Sequence, residues 1–268
     1  MEKRILIACP TFEGMEYCFM DFLFGIKNLN SIEGYSKDIL IVDNSKTTNF
    51  MDKYIKMPGF KEIKFIHDKE NKEEKNMLRV VHSRNFIIDY AARKNYDYIF
   101  MLDSDVILPN DILDKLIQSG KDVISGLYFG LWPVGRYLSV PENERNNPIA
   151  LPVAYRELTE EEFQIYKETH PDFTDKSQVK VHLSTSEVKS GKTFEVRVPS
   201  PGCMLISRKA FTSGAKYGIL KEGGADDGKF IKDLISKGFK IYCDTSCLCK
   251  HDVFGKFTNN DGMHPAYQ

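Results

Sequence analysis

The chain has 268 residues, which is room for one large domain or two small ones and enough to bury a core without disulfide or metal staples. Its 42% hydrophobic and 28% charged residues give the balance of an ordinary soluble globular protein, and exclude a disordered, collagen-like or membrane-spanning chain. The 37 Lys and Arg against 38 Asp and Glu leave a formal charge of −1, without the basic excess that nonspecific nucleic-acid binding requires.

The predicted elements begin with Arg4 to Cys9, a continuous apolar run expected of a strand buried on both faces of a parallel sheet. From Gly14 to Leu29, apolar residues at Met15, Cys18, Phe19, Phe22, Leu23, Ile26 and Leu29 trace the stripe of an amphipathic helix. Asp38–Val42 reads as the second strand and Ile63–Ile66 as the third. The charged stretch from Asp68 to Lys75 has no apolar residue and reads as an exposed loop. A helix is predicted over Met77–Lys94, then a buried strand over Tyr98–Leu102. Pro109 suits the first turn of a helix carrying Ile112, Leu113, Leu116 and Ile117 and stopping at Gly120. Val123–Tyr128 is the next strand, and this alternation argues for an open, mostly parallel α/β sheet.

The rhythm fails between about Leu131 and Glu195, where Pro133, Pro141, Pro148, Pro152 and Pro171 fall. One acidic helix is expected there, from Thr159 to Glu168, with Thr159 and Glu162 spaced as a capping box. Otherwise the stretch reads as a structureless insertion, and such insertions are more often functional than neutral. Patterning resumes with strands at Glu195–Val198 and Cys203–Ile206, a helix over Asp226–Lys237 and a last strand at Lys240–Cys243. Residues after His251 read as a polar tail.

Six cysteines (Cys9, Cys18, Cys203, Cys243, Cys247, Cys249) are too few and too clustered for a secreted disulfide framework. The apolar run behind Met1-Glu2-Lys3-Arg4 is too short for a signal peptide, and no segment has the apolar length to cross a bilayer, so a reducing cytoplasm is expected.

The sharpest motif is Asp103-Ser104-Asp105, directly after a very apolar strand. Residues two apart on extended chain point to one side, so both carboxylates can converge on a cation at the strand ends where ligands of α/β sheets sit. Two hard oxygen donors suit Mg²⁺ or Mn²⁺; the bland alternative is a polar strand end capping the turn before Pro109. Asp43-Asn44-Ser45 ends the second strand in the same way, as a nucleoside contact or simply an Asx turn. Pro10-Thr11 after the first strand is a weaker signal. Arg84, beside His82, Ser83 and Asn85, is placed to pair with a phosphate or with the aspartates, or is an ordinary exposed helical arginine. Gly223-Gly224-Ala225-Asp226-Asp227 opens a helix. Acids there are favoured by the helix dipole alone, while a general base would need such a carboxylate close to the reacting group. His251 is a third ligand only in combination with the aspartates. A structural zinc on Cys243, Cys247, Cys249 and His251 lacks the paired C-x-x-C spacing.

In order, these are strand-Pro-Thr, strand-Asp-Asn-Ser, a Ser-Arg-Asn helix, strand-Asp-Ser-Asp, Pro-Gly-Cys-Met-Leu-Ile, an Asp-Asp helix and a late His. The series resembles the GT-A glycosyltransferases, particularly the family 2-like group, over nearly the whole chain except residues 131–195. The resemblance implies a GT-A-type, Rossmann-like α/β fold in a single domain: residues 1–130 for the nucleotide sugar, 131–195 as an acceptor or lid region, and 196–268 as the acceptor half. It implies that Asp103, Asp105 and His251 hold Mn²⁺ or Mg²⁺, and that Thr11, Asp43, Arg84, Asp103 and Ser104 lie at a UDP- or GDP-linked donor. Asp227 would be the catalytic base, with Asp226 where the family usually has Glu. The expected activity is hexosyl transfer with inversion to a hydroxyl of a glycan, protein or small molecule. Trp132, Tyr137 and Tyr155 are expected to face sugar rings, or else to be core. The rivals are a sugar-nucleotide pyrophosphorylase, which would carry a Gly-rich basic loop where Cys9-Pro10-Thr11-Phe12-Glu13 stands, a catalytically silent nucleotide- or sugar-binding protein, and a transferase acting on nucleic acid.

Overall fold

The computed structural model describes residues 2–69, 75–133, 145–220, 226–253 and 256–258. Strand β1 (Lys3–Thr11) is buried from Ile5 onward and continues through Pro10, whose fixed φ suits extended backbone. Helix α1 (Phe19–Lys27) is shorter than its apolar stripe. The Glu13 N–H donates to Ser45 Oγ at 2.9 Å, and this tether holds Glu13–Met15 in a separate 3₁₀ turn. Next come β2 (Tyr35–Asp43), α2 (Asn49–Ile55), β3 (Ile63–His67), α3 (Asn76–Arg93), β4 (Tyr98–Leu102), the two-residue β5 (Val106–Ile107), α4 (Ile112–Gln118) and β6 (Val123–Leu127). Helix α2 escapes the sequence pattern because it is short, yet it buries Phe50, Met51 and Tyr54.

The stretch expected to be structureless is ordered where it is described. β7 (Phe129–Pro133) and β8 (Pro148–Pro152) pair antiparallel, and β9 (Tyr155–Glu157) pairs with β10 (Lys180–His182). Helix α5 (Glu160–Thr169) starts with the expected capping box from Thr159 and Glu162, and α6 (Thr185–Lys189) has a second one from Ser184 and Glu187. Arg156 joins these helices: its Nη1 and Nη2 donate to Glu162 at 2.7 Å each, and its Nε bonds Glu187. Prolines there end or edge short strands rather than abolishing structure.

The chain closes with β11 (Thr193–Val196), β12 (Cys203–Ser207), α7 (Arg208–Phe211), α8 (Asp226–Ser236), β13 (Ile241–Leu248), β14 (Lys250–Val253) and β15 (Lys256–Thr258). The main sheet has the order β11-β13-β6-β12-β4-β1-β2-β3. β1 lies parallel between β2 and β4, whereas β12 runs antiparallel between β4 and β6. Side-chain alternation divides the core into two layers. Ile5, Ile7, Phe100 and Leu205 face Phe19, Phe22, Leu113 and Leu116 of α1 and α4. Leu6, Ala8, Met101 and Met204 face Ile87, Ile88, Phe230 and Leu234 of α3 and α8. The fold is therefore α/β, a mostly parallel sheet with helices on both faces. The residues after His251, expected to be a tail, complete β14 and form β15 where they are described; β14 pairs with β15 and with β5. Among the described residues, no helix is long and apolar enough to cross a membrane.

Candidate functional site

The parallel strands β1, β2, β3 and β4 end along one edge, and there Thr11, Asp43, His67 and Asp103 emerge. Thr11 Oγ1 donates to Ser104 Oγ at 3.1 Å, both residues being buried, so the first strand pins the turn that holds the aspartates. That turn is closed by the Val106 N–H on the Asp103 carbonyl at 3.2 Å, and it leads into β5. Pairing of β5 with β14 sets His251 opposite Val106, and the Asp252 N–H donates to the Asp105 carbonyl at 2.8 Å. Sequence-distant segments thus place His251 Nε2 3.5 Å from Asp105 Oδ2.

His251 is oriented from behind. Its Nδ1 meets the Phe129 carbonyl oxygen at 2.9 Å, and its ring lies 4.7 Å from that of Tyr128. An N–H on Nδ1 leaves Nε2 as the nitrogen facing the carboxylate. Burial pulls the His251 pKa down, but the Asp105 carboxylate, the Phe129 carbonyl and Asp103 outweigh it, and the net shift is upward.

Asp103 is held differently. Its carboxylate accepts from Arg84 Nη2, which comes from the inner face of α3, so Arg84 is buried rather than an exposed helical arginine. The Asp103 N–H donates to the Gly202 carbonyl at 3.0 Å, and a Cβ at Gly202 would lie 2.7 Å from Asp103 Oδ2. Only glycine admits the carboxylate this close to β12. The Gly202 N–H donates to Tyr128 Oη at 3.1 Å. Burial pushes the Tyr128 phenol well up, and the negative charges of Asp103, Asp105 and Asp227 add to the shift.

Asp43 is fully buried, and its oxygens are filled locally. Oδ1 accepts from the Ser45 N–H at 3.0 Å and from Ser45 Oγ, the Asx-turn arrangement, while Oδ2 meets His67 Nδ1 at 3.2 Å. Asp68 was expected in an exposed loop, yet it is buried. Its Oδ2 accepts from Ser83 Oγ at 2.9 Å and faces His82 Nδ1 at 2.8 Å; Asn44 Nδ2 reaches Ser83 Oγ at 3.3 Å. The signal was present in the sequence, since Asp68 directly follows β3 much as Asp43 ends β2, but the charged run behind it obscured it.

Asp227 is buried at the start of α8 and lines a cavity of about 500 Å³ with Arg197 and Ile231. Gly223, Gly224, Ala225, Tyr137 and the side chain of Asp226 lie outside the described residues. Trp132 packs against Ile149 and Leu151, and the Tyr155 ring lies 4.2 Å from that of His182, which makes both aromatics part of the insertion's own packing. All six cysteines are buried thiols, with Cys249 Sγ 3.6 Å from Cys203 Sγ.

Among the described residues, no three His, Cys, Asp or Glu side chains form a group that could hold a metal ion. The expected trio is divided, with Asp105 facing His251 and Asp103 on Arg84. The donor types nonetheless suit a hard divalent cation: two carboxylates, and an imidazole whose other nitrogen is fixed on a carbonyl, the outer hydrogen bond that orients a ligating histidine.

No protein-family model matches this sequence, and no curated protein matches it. Among solved structures, the chain is similar to A197 from STIV, with 15% identity, 97% of this chain and 91% of that chain covered, and a TM-score of 0.47. It is similar to S. aureus TarS 1-349 in complex with UDP, with 12% identity, 92% and 59% covered and a TM-score of 0.49. It is also similar to the mannosyltransferase PcManGT from Pyrobaculum calidifontis in complex with GDP-Man and Mn²⁺, with 12% identity, 92% and 57% covered and a TM-score of 0.48. The chain spans less than two thirds of the latter two.

Proposed function

We propose that this chain is a glycosyltransferase that takes a hexosyl group from a UDP- or GDP-linked sugar, with Mn²⁺ or Mg²⁺ bound, and inverts the anomeric centre. The observation that carries the reading is Asp105 facing His251 across 3.5 Å, one residue beyond the Thr11–Ser104 contact and two beyond Asp103. Asp105 and His251 would hold the cation, joined by Asp103. When bound, such an ion neutralises charge that builds on a departing diphosphate. Arg84 fixes Asp103 and adds a buried guanidinium at the phosphate position. Thr11 and Ser104 hold the turn, and Asp43, with Ser45 and His67, shapes the nucleoside end.

Asp227 would accept the proton of the acceptor hydroxyl. A carboxylate on the side opposite the leaving group gives inversion, and its burial protects it from bulk water. In this reading residues 1–130 bind the donor and residues 131–195, with 196–268, receive the acceptor. The test is Mn²⁺-dependent hydrolysis and calorimetric binding across UDP- and GDP-sugars. Binding and turnover that disappear with EDTA and in Asp105→Asn support the reading; neither binding nor turnover of any donor overturns it. The Arg84–Asp103 pair favours one rival, a nucleotide-binding protein without turnover. Donor binding that survives EDTA, with no hydrolysis, would establish that rival.

A further inference from the structure

Tyr128 directly follows β6, outside the acidic motifs of the strand ends, yet both arms of the candidate cation site lean on its buried side chain. On one arm, Tyr128 Oη accepts the Gly202 N–H at 3.1 Å, and the Gly202 carbonyl accepts the Asp103 N–H at 3.0 Å. On the other arm, the Tyr128 ring lies 4.7 Å from the His251 ring, and the carbonyl of the next residue, Phe129, meets His251 Nδ1 at 2.9 Å. The post is itself anchored. The Leu127 carbonyl accepts the Cys249 N–H at 2.7 Å, and the Tyr128 carbonyl accepts the Val153 N–H at 2.8 Å. The Ser200 N–H donates to Ser125 Oγ at 3.2 Å, which ties the approach to Gly202 to β6 as well.

These contacts do more than fill space. Gly202 is buried, so its N–H needs an acceptor, and the phenol supplies one. A Cβ on Gly202 would lie 2.7 Å from Asp103 Oδ2, so a displaced glycine would displace the carboxylate. The same phenol ring contacts the imidazole that faces Asp105. We propose that Tyr128 is a positioning residue that sets the two arms of the site against each other, Asp103 through Gly202 and His251 through its ring. The consequence for cation binding rests on the proposed glycosyltransferase reading, whereas the placing of Gly202 and His251 does not.

The experiment compares wild type with Tyr128→Phe, Tyr128→Leu and Tyr96→Phe; the last loses a hydroxyl bond of 2.8 Å to Asp38, before the start of β4. MnCl₂ is titrated into each full-length chain with UDP present, and free Mn²⁺ is read by electron paramagnetic resonance. Amide exchange at Gly202 and the imidazole nitrogen resonances of His251 are recorded without metal. Tyr128→Phe keeps the ring, so His251 should stay near its wild-type resonances while the Gly202 amide loses protection and Mn²⁺ binds about tenfold more weakly. Tyr128→Leu should also move the His251 resonances and weaken Mn²⁺ binding towards about 100-fold. Tyr96→Phe should lower the melting temperature and leave Mn²⁺ affinity unchanged, which separates position from stability. Should Tyr128→Leu fail to fold, Tyr128→Phe carries the test alone. Wild-type Mn²⁺ affinity in Tyr128→Phe, an unchanged Gly202 amide, or an equal loss of affinity in Tyr96→Phe overturns the inference and leaves the glycosyltransferase reading standing. A wild-type chain that binds no Mn²⁺, with Gly202 and His251 still responding to Tyr128, keeps the positioning role and overturns the cation site instead.

Discussion

The insertion and the strand-end site are both organised around an arginine and carboxylates, but on opposite terms. In the insertion, Glu162 and Glu187 close capping boxes with N-caps three residues earlier and share Arg156, which leaves them committed to helix starts. At the strand ends Arg84 of α3 meets Asp103, and the partners of Asp105 and Ser104 come from far apart in the chain: His251 from β14 and Thr11 from β1. Helix caps recur wherever a helix starts. Long-range convergence of acids at the ends of parallel strands serves no local need, and that difference separates the two kinds of carboxylate.

The sharpest way to break this contrast is to remove the strand-end acids. Asp105→Ala should lower turnover by about 10²–10³-fold or more, with a melting temperature near that of wild type. Asp103→Asn should lose comparable activity and also about 1–3 kcal/mol of stability, because Arg84 stays buried without its ion pair. Wild-type rates in either variant would remove the catalytic assignment. Gly202→Ala comes next. Its Cβ would sit 2.7 Å from Asp103 Oδ2, so turnover should fall by about tenfold or more, with about 1–3 kcal/mol lost in a denaturant titration. Gly59, whose added Cβ would meet nothing within 4 Å, is the tolerant control.

Changes in the insertion should act on stability and spare donor hydrolysis. The Arg156 hydrogen bonds hold the Glu162 carboxyl at about 2, below the usual 4.5. A depressed folded-state pKa gives stability that is complete above 4.5 and lost as pH falls from there through about 2. Protection of the α5 amides, taken relative to the intrinsic exchange rate at each pH, should therefore fall over that window in wild type, and this loss should be smaller in Glu162→Gln. The smallest effect belongs to Thr159→Ala, which removes a helix cap for about 1 kcal/mol; unchanged donor hydrolysis in this variant is the control that completes the contrast.

Much of the fold is legible because parallel strands buried on both faces read as unbroken apolar runs, as in Tyr98–Leu102, which holds its predicted bounds. Short elements were not legible. Helix α2 and strands β9 and β10 are too brief for periodicity to register, and the prolines of the insertion suggested disorder where they edge hairpins. At the site, the aspartates after β4 announced themselves, whereas Gly202 and Tyr128 did not, since a close backbone approach and a buried phenol have no signature in a single sequence.

The sequence alone determined the α/β alternation, the two-faced sheet and the acids that end its strands, because burial periodicity and residue chemistry are local properties. Tertiary structure decided which of those acids meet. The antiparallel insertion of β12 brought Gly202 to Asp103, and the β5–β14 pairing brought His251 to Asp105. Such pairings depend on chain closure over long separations, and no window of neighbouring residues encodes them.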